Sequence, residues 1–151
     1  FNAEAIWAAV SDKEGFMDMP ELDYFIPSSF GSFELTKRKN NEFIGQEINW
    51  NKNSLKPVKT ITIDSLNLQR LDLIKIDIEG MEEVALGGAV QTISQKKPIM
   101  VVEKIKSDRQ NLLNALVPYG YKSFEFGLNF LMIHKDDKSL EQISGLKEVR
   151  A

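Results

Sequence analysis

From Leu71 to Glu103 the chain spells strand, glycine, helix, proline, strand, and this order restricts the fold more than any other stretch. Leu71 to Ile78 is apolar with charges at alternate positions, and Gly80 ends it. Glu82 to Lys96 carries Val84, Leu86, Ala89, Val90 and Ile93 at helical spacing. Glu82 and Glu83 sit at the end where the helix dipole favours negative charge. Pro98 then opens Ile99-Met100-Val101-Val102, closed by Glu103. A continuous apolar run of this kind suits a strand buried on both faces, as in a parallel sheet. Gly87-Gly88 weakens the helix by about 1 kcal/mol per glycine, so close packing against a neighbour is expected there.

The flanking segments extend the pattern. Ala5 to Val10 reads as a short buried strand, Ser11 to Gly15 as the polar turn closing it, and Phe16 to Met19 as a returning strand before Pro20. Val58 to Ile63 alternates and predicts a half-exposed strand. Ser107 is the expected N-cap of a helix carrying Leu112, Leu113, Leu116 and Val117, stopped by Pro118 and Gly120. Tyr121–Phe126 and Phe130–His134 form a hairpin around Gly127-Leu128-Asn129. Residues 136–151 read as a charged tail. Residues 24–57 have no sustained period and are locally basic: Lys37, Arg38, Lys39, Lys52 and Lys56 against Glu34, Glu42 and Glu47. A loop this long in a compact domain is functional or partly disordered. The expected fold is α/β, one domain over residues 1–151, with a mostly parallel sheet and an antiparallel C-terminal hairpin edge.

Several chemistries drop out. The chain has 151 residues, no cysteine and one histidine, so disulfides, thiolate zinc sites and a cysteine nucleophile are excluded. With 19 Lys+Arg against 22 Asp+Glu, the net charge of −3 argues against a nucleic-acid partner. No apolar run approaches the ~20 residues of a membrane span. Phe1 leads into no signal-peptide layout, and a cytoplasmic location is expected. Glycine-rich phosphate loops and a G-x-S-x-G elbow are missing.

Candidate chemistry concentrates in Lys75-Ile76-Asp77-Ile78-Glu79-Gly80. Strand alternation puts Ile74, Ile76 and Ile78 on one face and Lys75, Asp77 and Glu79 on the other. Three charges on an apolar strand are expensive to bury unless paired. They fall at the strand's carboxyl end, where open α/β sheets bind ligands. The competing reading is a Lys75–Asp77 ion pair on an edge strand with Glu79 solvated. Glu103 ends the next strand and is expected beside them, where carboxylates raise one another's pKa or hold a hard cation such as Mg²⁺. His134 is a candidate general base at the end of the last strand.

The sequence also resembles a family. Lys75-Ile76-Asp77-Ile78-Glu79-Gly80-Met81-Glu82, followed by Val84 and Leu86-Gly87-Gly88-Ala89, looks like the signature of FkbM-type methyltransferases. Ala8 to Gly15, Val58 to Leu66 and Lys97 to Glu103 look like three further family segments in the same order. The resemblance covers residues 5 to about 135. It implies a Rossmann-like class I fold that uses S-adenosylmethionine to methylate a hydroxyl of a small molecule, a sugar or secondary metabolite. It places Ser11 and Asp12 at the adenine and Asp77 and Glu79 near the methyl-transfer centre. Lys75 would pair the carboxylates, Glu103 or His134 would take the proton, and residues 24–57 would form the acceptor-side lid. The family's first strands and glycine-rich cofactor loop have no counterpart here, so the resemblance also implies the C-terminal part of a larger fold.

Two other functions compete. One is a non-catalytic remnant that dimerises through an exposed sheet edge. The other is a Mg²⁺-dependent phosphate-ester enzyme built on Asp77, Glu79 and Glu103. Isothermal titration with S-adenosylmethionine separates the methyltransferase from the remnant, and a metal-dependent thermal shift marks the last.

Overall fold

The computed structural model describes residues 2–151, in two sheets rather than one. The smaller holds β1 (Ala9–Val10), β2 (Gly15–Pro20) and β3 (Leu55–Ile61) in the order β1-β3-β2. The polar turn after Val10 does send the chain back, but β2 pairs antiparallel with β3, Gly15 opposite Thr60 and Pro20 opposite Leu55. β1 lies on the other side of β3, parallel to it. The strand expected from Ala5 is therefore cut to two residues, and Ile6 and Trp7 stand exposed.

The larger sheet contains β4 (Leu73–Ile76), β5 (Ile99–Glu103), β6 (Tyr121–Phe126), β7 (Asn129–His134) and β8 (Glu148–Val149), in the order β4-β5-β7-β6-β8. Only β4 and β5 are parallel, Leu73 facing Ile99, because helices carry the chain back between them. The β6–β7 hairpin slots β7 between β5 and β6, so β7 is antiparallel to both. A mostly parallel sheet is thus corrected to a mixed one. Asn129 pairs with Phe126, leaving Gly127-Leu128 as the turn, with Gly127 at a φ of +57°. The expected tail contributes β8, which pairs with β6.

The helix expected over Glu82–Lys96 is broken into α1 (Glu82–Gly87) and α2 (Val90–Lys96). Asp64 sits at the break. Its N–H donates to the Gly88 carbonyl at 2.9 Å, and its carboxylate accepts from the Thr92 N–H at 2.7 Å and the Gln91 N–H at 3.0 Å. A residue from a distant segment thereby caps α2. Burial raises the Asp64 pKa, but the hydrogen bonds from Thr92 and Gln91 outweigh it and hold the group below its ordinary 3.8. That stabilisation is complete above pH 3.8 and is lost as the pH falls through the lower folded value. Asp64→Ala is expected to cost about 1 kcal/mol at neutral pH, the usual worth of a cap, measured by urea unfolding.

In α3 (Arg109–Leu116) the cap is Asp108, not Ser107: Asp108 Oδ1 accepts from the Asn111 N–H at 2.9 Å. Ser107 is engaged elsewhere. α1, α2 and α3 cover the larger sheet, burying Ile93, Leu112 and Leu116 against Met100, Val102 and Phe130. Residues 24–57 build a second small core from Phe33 and Ile44 with Leu22, Trp50 stacking on Phe33 at 6.4 Å between ring centres.

Candidate active site

β4 delivers its charges to the sheet's edge, and the chain then turns sharply. Lys75 Nζ donates to Asp77 Oδ2 at 2.8 Å and to Asn129 Oδ1 at 2.9 Å. Asn129 opens β7 directly opposite Glu103, the last residue of β5. Glu79 takes a φ of +55° and Gly80 one of +93°, so two successive left-handed residues fold the chain back over the strand ends. Such a conformation in a glutamate is uncommon and strained. Asp77, Glu79 and Glu103 each present a carboxylate oxygen, and all three atoms lie within 4.8 Å of one another. Adjacency brings Glu103 beside Asp77 and Glu79 as expected. Strand alternation does not place them, because β4 ends at Ile76 and the turn positions Glu79. The Lys75–Asp77 ion pair on an edge strand is the competing reading, except that Glu79 is paired with Lys106 rather than solvated.

Charge balance differs among the three. Asp77 is paired with Lys75, and Glu79 with Lys106, whose Nζ lies 2.7 Å from Glu79 and 2.7 Å from Glu42. A cation bound here would compete with two ammonium groups. Among the described residues Glu103 has no such partner: its Oε2 is buried and makes no hydrogen bond. Burial first, then the charges of Asp77, Glu79 and Glu82, raise its pKa above the ordinary 4.5 against a smaller lowering by Lys75. A carboxylate poised in this way is suited to taking a proton.

The 24–57 segment is fastened to the same strand ends. The Arg38 guanidinium donates to the carbonyl of Gly80 and, at 2.7 Å, to that of Lys106. Lys106 Nζ donates to the Ser32 carbonyl at 2.9 Å. Between them opens a cleft of about 450 Å³ lined by Glu34, Arg38, Lys39, Asn40, Glu42 and Lys106.

His134 is not part of this site, and its candidacy as the base is corrected. β7 runs antiparallel to β5, so its final residue lies beside the start of β5, with Met132 opposite Met100. At a rise of ~3.4 Å per residue, His134 stands about 17 Å from Asn129. It is buried, accepts the Asp136 N–H at 3.1 Å through Nδ1, and meets the Tyr121 ring edge-on at 5.6 Å. Ser11 and Asp12 pack against Gly87 and Gly88, at the far end of α1 from the carboxylates. Six helical residues, about 9 Å, separate the two ends.

Three site residues escaped the sequence reading. In the sequence Asn129 reads as a turn residue and Glu82 as a helix-dipole partner, and Lys106 goes unmentioned. Glu82 is fully buried; Oε1 accepts from the N–H of Ile78 at 3.0 Å and of Gly80 at 3.2 Å, and Oε2 from the Ser107 hydroxyl. Its only sequence signal is its place two residues after Gly80, in the motif itself.

A family model described as the methyltransferase FkbM domain matches residues 2–131. No curated protein and no solved structure matches the chain.

Proposed function

Since the chain belongs to the FkbM methyltransferase family, we propose that it methylates a hydroxyl group of a sugar or secondary metabolite with S-adenosylmethionine, using Glu103 as the base. The observation that carries this reading is Glu103 itself: its Oε2 is buried without a hydrogen bond, and its carboxylate presents an oxygen within 4.8 Å of one each from Asp77 and Glu79. The donor set fits one part of the cofactor, because three carboxylates against the two ammonium groups of Lys75 and Lys106 leave a negative surplus for a cationic sulfonium. The described residues contain no glycine-rich turn after a strand for its amino-acid end. When bound, S-adenosylmethionine supplies an electrophilic methyl group. Asp77 and Glu79 would face the sulfonium, and Ser11 and Asp12, at the other end of α1, would meet the adenine.

The protein's own groups do the rest. Lys75 fixes the Asp77 carboxylate, and its second bond to Asn129 ties that carboxylate to the strand facing Glu103. Glu103 takes the proton of the acceptor hydroxyl, so that the oxygen can attack in line. The cleft beside Arg38, Lys39 and Lys106 is the acceptor side, where charged and amide side chains together with the apolar Ile105 would meet a molecule carrying both hydroxyls and C–H surface.

Transfer of labelled methyl to a panel of hydroxyl acceptors tests the reading. Asp77→Ala in the full-length protein is expected to cut the rate about 100-fold through lost positioning. Unchanged transfer would refute the assignment. A second reading rests on a separate observation: β4 is an end strand, and about 300 Å³ of apolar groove beside it is lined by Val10, Ile63, Leu68, Leu73 and Ile74. A non-catalytic remnant that dimerises through this edge would elute as a dimer and give no heat with S-adenosylmethionine even in an N-terminally extended chain, whereas heat appearing with that extension favours the enzyme.

A further inference from the structure

We infer that Glu82 is the positioning residue of the carboxylate site: its side chain is the internal anion that holds the turn after β4 in the conformation aiming Glu79 at Lys106. Glu79 and Gly80 are consecutive left-handed residues, with φ of +55° and +93°. The turn brings the Ile78 and Gly80 N–H groups to one point, and converging backbone N–H groups in a turn favour an anion. Glu82 Oε1 occupies that point, taking both the Ile78 and Gly80 N–H groups.

The burial is otherwise hard to explain. Glu82 is 0% exposed, and among the described residues no cation pairs with it. A buried carboxylate is tolerated only when its oxygens are hydrogen-bonded, and three donors meet these two. The third donor makes the bracket bilateral. Ser107 lies in the loop between β5 and α3, one residue from Lys106. One carboxylate thus ties together the two loops that carry the two halves of the Glu79–Lys106 pair. Glu79 itself, left-handed without being glycine, needs such an outside restraint. Any effect of Glu82 on the chemistry passes through Glu79, and that part rests on the methyltransferase reading of the site.

Amide hydrogen exchange tests the bracket, and methyl-transfer kinetics test what it does. In E82A the Ile78 and Gly80 amides are expected to exchange about tenfold faster or more, the worth of a charge-assisted hydrogen bond, while β5 and β7 amides stay protected. E82Q keeps an oxygen for both N–H groups and presents its amide to the Ser107 hydroxyl, so it retains most of the protection. Should E82A fail to fold, S107A and E82Q carry the exchange measurement, with faster exchange at the same two amides expected in S107A. In kinetics, E82A loses about 100-fold in kcat at nearly constant KM, and E82Q recovers most of that loss. In an E79A background the same substitution adds less than about twofold, because coupled residues are non-additive. Unchanged exchange at Ile78 and Gly80, or a full E82A effect without Glu79, overturns the inference. A wild-type protein that transfers no methyl group refutes the methyltransferase reading, and the exchange data still decide the bracket.

Discussion

Gly88→Ala is expected to lower the melting temperature by about 6–12 °C. The backbone explains why. Gly88 has a φ of −88°, which any residue adopts, so conformational freedom is not what the position requires. Space is. A Cβ at Gly88 would fall against the Ser11 carbonyl, 3.1 Å from its carbon and 3.2 Å from the Asp12 Cα, besides overlapping its oxygen. All three obstacles are main chain, and they cannot swing aside as a side chain would. Relief requires α1 and the turn after β1 to part, which also strains the Asp64 N–H bond to the Gly88 carbonyl. Overpacking against fixed backbone costs about 3 kcal/mol, and a chain of this size loses about 2–4 °C per kcal/mol. The neighbouring glycine is the control. At Gly87 the nearest atom is the Asp12 Cβ at 3.5 Å, an ordinary contact. Gly87→Ala should therefore raise stability by about 0.5–1 kcal/mol through helix propensity. Thermal unfolding of the two variants side by side decides the matter, and equal melting temperatures would contradict the packing argument.

That pair also marks how far the sequence could be read. Two glycines inside a helical period cost stability, so a packing reason was legible, although the partner, Ser11-Asp12, was not. The β4–helix–β5 unit and the hairpin were legible because their hydrophobic periods are local. The β2–β3 pairing was not, because Gly15 and Thr60 are distant in the chain and nothing in either strand names the other. The order of β5, β7 and β6 had the same obstacle, and it decided the fate of His134. Residue type suggested a base, and strand direction carried that residue to the opposite end of the sheet. Glu82 stayed hidden for a different reason. Its inward turn depends on Glu79 being left-handed, and glutamate gives no sign of that in a sequence. Residues 24–57 looked structureless because a core assembled from loops, such as Leu22, Phe33 and Ile44, has no period to read.

Glu103→Gln is expected to lower kcat by about 10²–10⁴-fold, the usual contribution of a general base, with the acceptor KM nearly unchanged. Glutamine keeps the shape of the side chain and cannot take the proton. Stability separates this loss from a folding defect. The raised pKa of Glu103 means that its stabilisation of the fold is greatest below pH 4.5 and is lost as the pH rises through the folded value. At neutral pH the ionised group is a burden, so E103Q should be at least as stable as the wild type. The rate profile carries the complementary sign. A base is lost as it is protonated, so wild-type activity should fall on the acid side through a value above 4.5. Burial is the largest cause of that shift and the Asp77 charge the next. Asp77→Asn removes the second cause and leaves Lys75 without its partner, and both changes favour ionised Glu103. Its residual activity should therefore keep its acid limb, displaced to lower pH, whereas E103Q should have none. An E103Q variant with wild-type rate and an intact acid limb would place the base elsewhere.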